Sequence, residues 1–273
     1  MKITTLATST AIQGHEVVSS IEWITSRKEL LRKEKEFTRL RDELSRQRRE
    51  LPWERVEKEY VFDGPNGKVT LANLFGGKSQ LIVYHFMFGP AWEEGCRSCS
   101  FAADHFDGTL VHLANRDVTL AAVSRAPMPQ IETFKKRMGW QFRWVSSFGN
   151  EFNRDYHVSF TKEEMAKGKV NYNYDLREFP SEEAPGFSVF YKNDAGEIFH
   201  TYSAYARGGD ILIGAYNFLD LAPKGRDEDA LAFTMAWVRH HDRYADGYFV
   251  DPMAPYVAPK GAGSSCCAKE YQS

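Results

Sequence analysis

LIVYHFMFGPAWEEGCRSCSF, residues Leu81 to Phe101, opens with a continuous apolar run, Leu81 to Phe88. The run is too short for an ordinary helix and rich in β-branched and aromatic side chains, which predicts a buried strand. Gly89-Pro90 turns the chain, and Cys96-Arg97-Ser98-Cys99 follows. Phe101, His105, Phe106, Leu110 and Leu113 then recur at helical spacing. A strand, a loop, a dithiol and a helix in that order form a redox-site pattern. A helix beginning near Cys96 directs unpaired N–H groups and its positive end at that sulfur, which stabilises a thiolate. Cys96 is therefore the expected nucleophile. Cys99, one turn further in, is the thiol that resolves the mixed intermediate.

On the amino-terminal side, Asp63-Gly64 and Asn66-Gly67 lie between β-rich runs and predict a hairpin over Tyr60 to Leu71. Val17 to Glu50 reads as a long charged helix with Leu30, Phe37, Leu44 and Leu51 at seven-residue intervals, and Pro52 ends it. Such a narrow seam covers a groove on its own domain or pairs with a second copy, giving a homodimer through the N-terminal helix. On the carboxyl-terminal side, Val118 to Ser124 is a second buried strand, Ile131 to Met138 a short amphipathic helix and Gln141 to Ser146 a third strand. Pro185 leads into two strands around an Asn193 to Gly196 turn, and Ile211 to Leu219 is an apolar helix. Phe148 to Gly168 is polar and mixed, and reads as loop and short helix. The fold class is α/β, a mixed sheet flanked by helices with a long N-terminal helical extension. The expected organisation is an arm over residues 1–51, a domain over 52–245 and a flexible tail over 246–273.

Thirty-five basic and 37 acidic residues leave a net charge of −2, which gives no reason to expect a nucleic-acid partner. No run of eighteen apolar residues suggests a membrane span, and Met1 to Glu16 has no apolar stretch of signal length, so a soluble, cytoplasmic protein is expected. The four cysteines form two close pairs rather than a disulfide framework. No cofactor is expected.

Three separated features together resemble a thioredoxin fold: the strand–CxxC–helix unit, a proline ahead of the strand in PGFSVFYKNDAGE, and the hairpin and helix that follow. Residues 17 to 245 also resemble a bacterial thioredoxin-like family described as a domain of unknown function. The resemblance is carried by EKEFTRLRDEL, YHFMFGPAWEEGC, VSRAP, MGWQFRWVSSFG and YNFLDLAPKGRDED. It implies that Pro185 is the cis-proline that packs beside the dithiol and guides substrate. The chain departs from ordinary thioredoxins in having Gly95 before the first thiol, with Trp92 displaced to four residues before it. It also lacks the buried acidic residue of the preceding strand, where Tyr84 and His85 stand instead.

His85 is the proton-transfer candidate if the strand register turns it under the dithiol; otherwise Tyr84 lies there. Trp92 is a candidate for lining a substrate groove. Arg125, at the C-terminal end of a strand, is a candidate for holding an anionic substrate, with a plain ion pair as its ordinary alternative. Arg97 either favours the thiolate or is an exposed residue at the helix start. The expected chemistry is thiol–disulfide exchange or thiol-dependent reduction of an oxidised protein, a small-molecule disulfide or a peroxide. The alternatives are a peroxidase of peroxiredoxin-like type, a Cu(I) or Zn(II) carrier using the same thiols with His157 or His200, and an adaptor. His240-His241 reads as a polar helix end, and no metal site is assigned. Cys266-Cys267 is either an electron relay on a mobile arm or a dispensable tail.

Overall fold

The computed structural model describes residues 14–244, in two compact units divided between Leu51 and Pro52. The first contains α1 (Ser20–Glu50). Ser19 and Glu22 cap its start reciprocally, the Ser19 hydroxyl accepting from the Glu22 N–H and the Glu22 carboxylate from the Ser19 N–H. Arg32–Glu36 and Arg46 with Glu43 and Glu50 are ion pairs one turn apart along it. Leu51 leaves the helix at φ −56°, ψ 142°, the extended backbone that a following proline enforces.

The second unit is built on one mixed sheet. Its strands are β1 (Glu54–Arg55), β2 (Val61–Gly64), β3 (Gly67–Thr70), β4 (Gln80–His85), β5 (Val118–Ser124), β6 (Arg143–Ser146), β9 (Gly186–Lys192) and β10 (Ile198–Tyr205). β7 (Val170–Tyr172) and β8 (Asp175–Arg177) pair separately, in the stretch between β6 and β9. The helices are α2 (Leu71–Leu74), α3 (Arg97–Ala103), α4 (Leu110–Asn115), α5 (Met128–Arg137), α6 (Phe152–Asp155), α7 (Lys162–Ala166) and α8 (Gly214–Leu219). The sheet order is β1-β10-β9-β4-β5-β6-β2-β3. β4, β5 and β6 run parallel, while β9 pairs antiparallel with both β4 and β10. A parallel β4–helix–β5 unit joined to an antiparallel β9–β10 pair and a closing helix is the thioredoxin arrangement, extended here by β6 and the β2–β3 hairpin.

Alternation along the strands divides the core. Leu81 and Val83 of β4, with Ala121 and Val123 of β5, face Phe62, Leu74, Phe75, Phe152 and Phe190. Tyr84 and Phe86, with Leu120 and Ala122, face the other way, toward Cys96, Cys99, Phe106, Phe134 and Trp144. Each apolar side chain buried this fully contributes roughly 1.5–3 kcal/mol against exposure. The dithiol therefore stands on one defined face of the sheet.

Two stretches expected as continuous helices are broken. The helix after the dithiol breaks into α3, a 3₁₀ turn at Asp107–Thr109, and α4. Gly108 weakens it there, and the Asp107 carboxylate is drawn to the Gln141 and Phe142 N–H groups, both at 2.8 Å. The apolar helix expected over Ile211 to Leu219 is a 3₁₀ stretch, Ala206–Leu212, followed by α8. No described helix is long and apolar enough to cross a membrane.

Candidate active site

After β4 the chain stays attached to the sheet: the Phe86 N–H donates to Val123 O at 2.9 Å and the Ala126 N–H to Phe88 O at 2.7 Å. It then folds back, with the Cys96 N–H donating to Met87 O at 2.9 Å. That contact sets Cys96 as the residue capping α3, and Cys99 follows one turn inside it. Neither is in a disulfide, and they are 8% and 2% exposed. They share the wall of a cavity of about 60 Å³ with Tyr84, Pro185, Phe187 and Met235.

The approach to Cys96 depends on Gly95. A Cβ there would lie 2.6 Å from a Phe86 ring carbon and 2.7 Å from a Phe134 ring carbon, both inside the packed core. Gly95→Ala is expected to cost about 1–3 kcal/mol, because neither ring can leave without dislodging its neighbours. Urea denaturation reads this cost, and an unchanged midpoint would mean that the loop simply moves away.

Pro185 lines the cavity, and its carbonyl accepts from the Tyr172 hydroxyl at 2.7 Å. No described peptide bond is cis, so the bond before Pro185 is trans, a correction to the geometry implied by the thioredoxin resemblance. Trans is the lower-energy isomer of an X–Pro bond by about 0.5–1 kcal/mol.

His85 is not under the dithiol. The pleat turns it to the opposite face from Tyr84, where its ring lies against Phe152 and Tyr156 with centroids 5.5 and 5.9 Å away. It is fully buried, and its Nε2 lies 2.8 Å from Ser188 Oγ. Ser188 continues to Ser203 at 2.9 Å, and Ser203 to His200 Nε2 at 2.7 Å. A β-bulge between His200 and Tyr202 brings His200 and Ser203, three residues apart, onto one face. Burial, and secondarily the His200 charge, lower the His85 pKa to about 3. Tyr84, stacked on Phe187 at 4.5 Å, is the member of the pair that the register turns toward the thiols.

Trp92 is also outside the cavity lining; it folds over Gly89, where an added Cβ would come within 2.9 Å of the indole nitrogen. Arg125 pairs with Glu183, Nη1 to Oε1 at 2.8 Å, and does not line the cavity either. Ser159 donates to the other Glu183 oxygen at 2.6 Å. Burial pushes the Glu183 carboxyl up to about 7, opposed by Arg125 and Ser159. The pair ties the end of β5 to the segment entering Pro185. Arg97 is buried, its guanidinium 5.6 Å from the centre of the Phe233 ring.

His157 is exposed and His200 lies on the His85 face, so neither joins the cysteines. No group of three or more His, Cys, Asp or Glu placed to hold a metal occurs among the described residues. Cys266 and Cys267 lie outside the described residues.

A second set of contacts on the dithiol loop has no signature in the sequence. His240 stands at the start of a 3₁₀ turn, His241–Arg243, and is buried. Its Nε2 donates to Gly95 O at 2.9 Å and its Nδ1 accepts from Arg137 Nη2 at 3.1 Å, an arrangement that requires the neutral ring. Burial lowers its pKa accordingly. Glu94 joins Arg137 at 2.7 Å and Arg243 at 2.8 Å, and Arg137 reaches Asp242 at 2.8 Å. The two residues before Cys96 are thus fastened to the segment carrying His240 and Arg243.

Comparison with curated proteins finds no match. Solved structures similar to this chain include peroxiredoxin Q of Xanthomonas campestris, with 15% identity and a TM-score of 0.39 over 58% of this chain and 90% of that one. Peroxidoxin BcpB of Mycobacterium tuberculosis shows 12% identity and a TM-score of 0.36, over 60% and 94%. A putative thiol:disulfide interchange protein DsbE of Chlorobium tepidum shows 13% and 0.36, over 60% and 97%. The sequence profile of the family described as bacterial protein of unknown function (DUF899) matches residues 12–244, and the chain belongs to that family.

Proposed function

We propose that the chain is a thiol-dependent reductase of small oxidants of the peroxide class, with Cys96 as nucleophile and Cys99 as resolving thiol. The observation that carries this reading is the meeting of Cys96 and Cys99, neither of them in a disulfide, in the wall of one small, largely apolar cavity. About 60 Å³ accommodates a molecule of a few heavy atoms, since about 10–15 Å³ of such space holds one water. With Cys96 only 8% exposed, a small oxidant reaches its sulfur more readily than a folded protein disulfide does. Cys96 is the better nucleophile because the first turn of a helix offers N–H groups with no intrahelical acceptor, which favours the anion.

The Cys96 thiolate attacks one oxygen of the peroxide, the O–O bond breaks, and the departing alkoxide or hydroxide takes a proton to leave as alcohol or water. Cys96 is then a sulfenic acid. Cys99 attacks that sulfur, an S–S bond forms, and the sulfenic oxygen leaves as water. The peroxide has gained two electrons and the dithiol has lost two. An external dithiol restores the pair.

Pre-reduced protein is expected to consume one equivalent of hydrogen peroxide and to yield a peptide linked through Cys96 and Cys99, read by mass spectrometry. Peroxide left unconsumed, together with rapid oxidation of the same pair by a small-molecule disulfide, would move the reading to thiol–disulfide exchange.

A further inference from the structure

The wall of the dithiol cavity includes a residue from a part of the chain with almost no regular structure, Leu221 to Tyr244. That stretch is nevertheless held at both ends. At one end, Glu228 Oε1 accepts from the Tyr216 hydroxyl at 2.8 Å, the Met235 N–H at 3.0 Å and Trp237 Nε1 at 2.6 Å. Trp237 packs edge-on against Phe101 of α3 at 5.4 Å, and Val238 is fully buried. At the other end, His240 and Arg243 grip Gly95 and Glu94. Between these anchors Met235 sits at φ +66° and is 2% exposed.

A left-handed backbone is uncommon for an unbranched apolar residue and persists only where the surroundings over-determine it. Here the determinant is Glu228: the same carboxylate that holds Tyr216 and Trp237 holds the Met235 N–H. The conformation places residue 235 in the wall shared with Cys96 and Cys99. A thioether with three rotatable bonds yields to a small molecule and still fills the space against a large one.

We propose that Met235 is the size-selecting gate of the dithiol cavity, positioned by Glu228, and that it restricts Cys96 to oxidants of a few heavy atoms. The proposal rests on the peroxide reading for the identity of those oxidants, and on the cavity alone for the gating.

The test is alkylation of Cys96 in the reduced full chain, resolved by peptide mass spectrometry, with iodoacetamide as the small reagent and a fluorescein maleimide as the bulky one. In Met235→Ala, the rate with the bulky reagent is expected to rise about tenfold or more while the iodoacetamide rate stays within about threefold, because the truncation leaves a void beside the thiols. Met235→Leu, which keeps most of the volume, should retain the parent ratio of the two rates. An unchanged ratio in Met235→Ala, or an equal rise with both reagents, overturns the gate; the second outcome is what general loosening produces. Turnover of cumene hydroperoxide relative to hydrogen peroxide should shift in the same direction in Met235→Ala. Should no variant consume peroxide while the alkylation ratio shifts as stated, the gate stands and the peroxide reading falls.

Discussion

Replacing Cys96 with serine is expected to abolish peroxide turnover, a loss on the order of a thousandfold or more, while Cys99→Ser consumes one equivalent and stops. A serine hydroxyl in the position of Cys96 is not ionised at neutral pH, and neither nearby histidine serves as its base: His85 is on the opposite face of β4 and His240 is committed to Gly95 and Arg137. Cys99→Ser leaves the first step intact, because the attacking sulfur is on the other residue. Its Cys96 sulfenic acid then has no thiol partner within the cavity, so dimedone should trap it as a mass-resolved adduct on the Cys96 peptide. The reverse pattern, with dimedone on Cys99 in Cys96→Ser, would exchange the roles. Full turnover in both single variants would remove the dithiol from the chemistry. Both substitutions replace sulfur with a smaller atom in a buried wall, so circular dichroism should accompany the assay and is expected to be unchanged.

The fold was legible around the dithiol because local signals there agree. An eight-residue apolar run, two turn residues and a CxxC allowed one reading of β4, its loop and α3, and the strand Val118–Ser124 was bounded as expected. The helix following Pro127 begins at Met128, earlier than the apolar spacing from Ile131 suggested, because a proline is well tolerated in a first turn. The β7–β8 pair was hidden in polar sequence; only Val170 and Tyr172 of β7 bury, against Phe160, Phe179 and Tyr205, while β8 contributes nothing to that cluster. Which of Tyr84 and His85 faces the thiols could not be read from composition, since a shift of one residue in register exchanges them. Met235 and His240 were hidden for a different reason. Their segment has no period, and what holds it is a handful of single polar contacts, Glu228 with three donors and Glu94 with two guanidinium groups, which have no signature at a distance in sequence.

The second large effect concerns stability, and it belongs to His85. Below pH 6.5 the wild-type chain should lose stability relative to His85→Gln, by about 3 kcal/mol at pH 4. In the folded chain the imidazole is buried and its pKa is lowered to about 3 from 6.5, so between those values the unfolded chain binds a proton that the folded chain does not. Stability therefore rises with pH across that window, and the penalty grows as pH falls through it. The glutamine amide can retain a hydrogen bond to Ser188 Oγ, which the ring makes through Nε2, and it does not titrate. The substitution leaves His200 in place, 2.7 Å from Ser203 and 3.4 Å from Glu54, so the comparison isolates the residue at position 85. Urea denaturation of the two proteins at intervals from pH 7 to pH 4 measures the difference; parallel curves would show that water reaches the ring. The same variant separates stability from chemistry. With His85 on the far side of β4 from the cysteines, the pH dependence of peroxide reduction between pH 5 and 8 should be the same in both proteins over the range in which both remain folded, and a displaced profile would return His85 to the proton path.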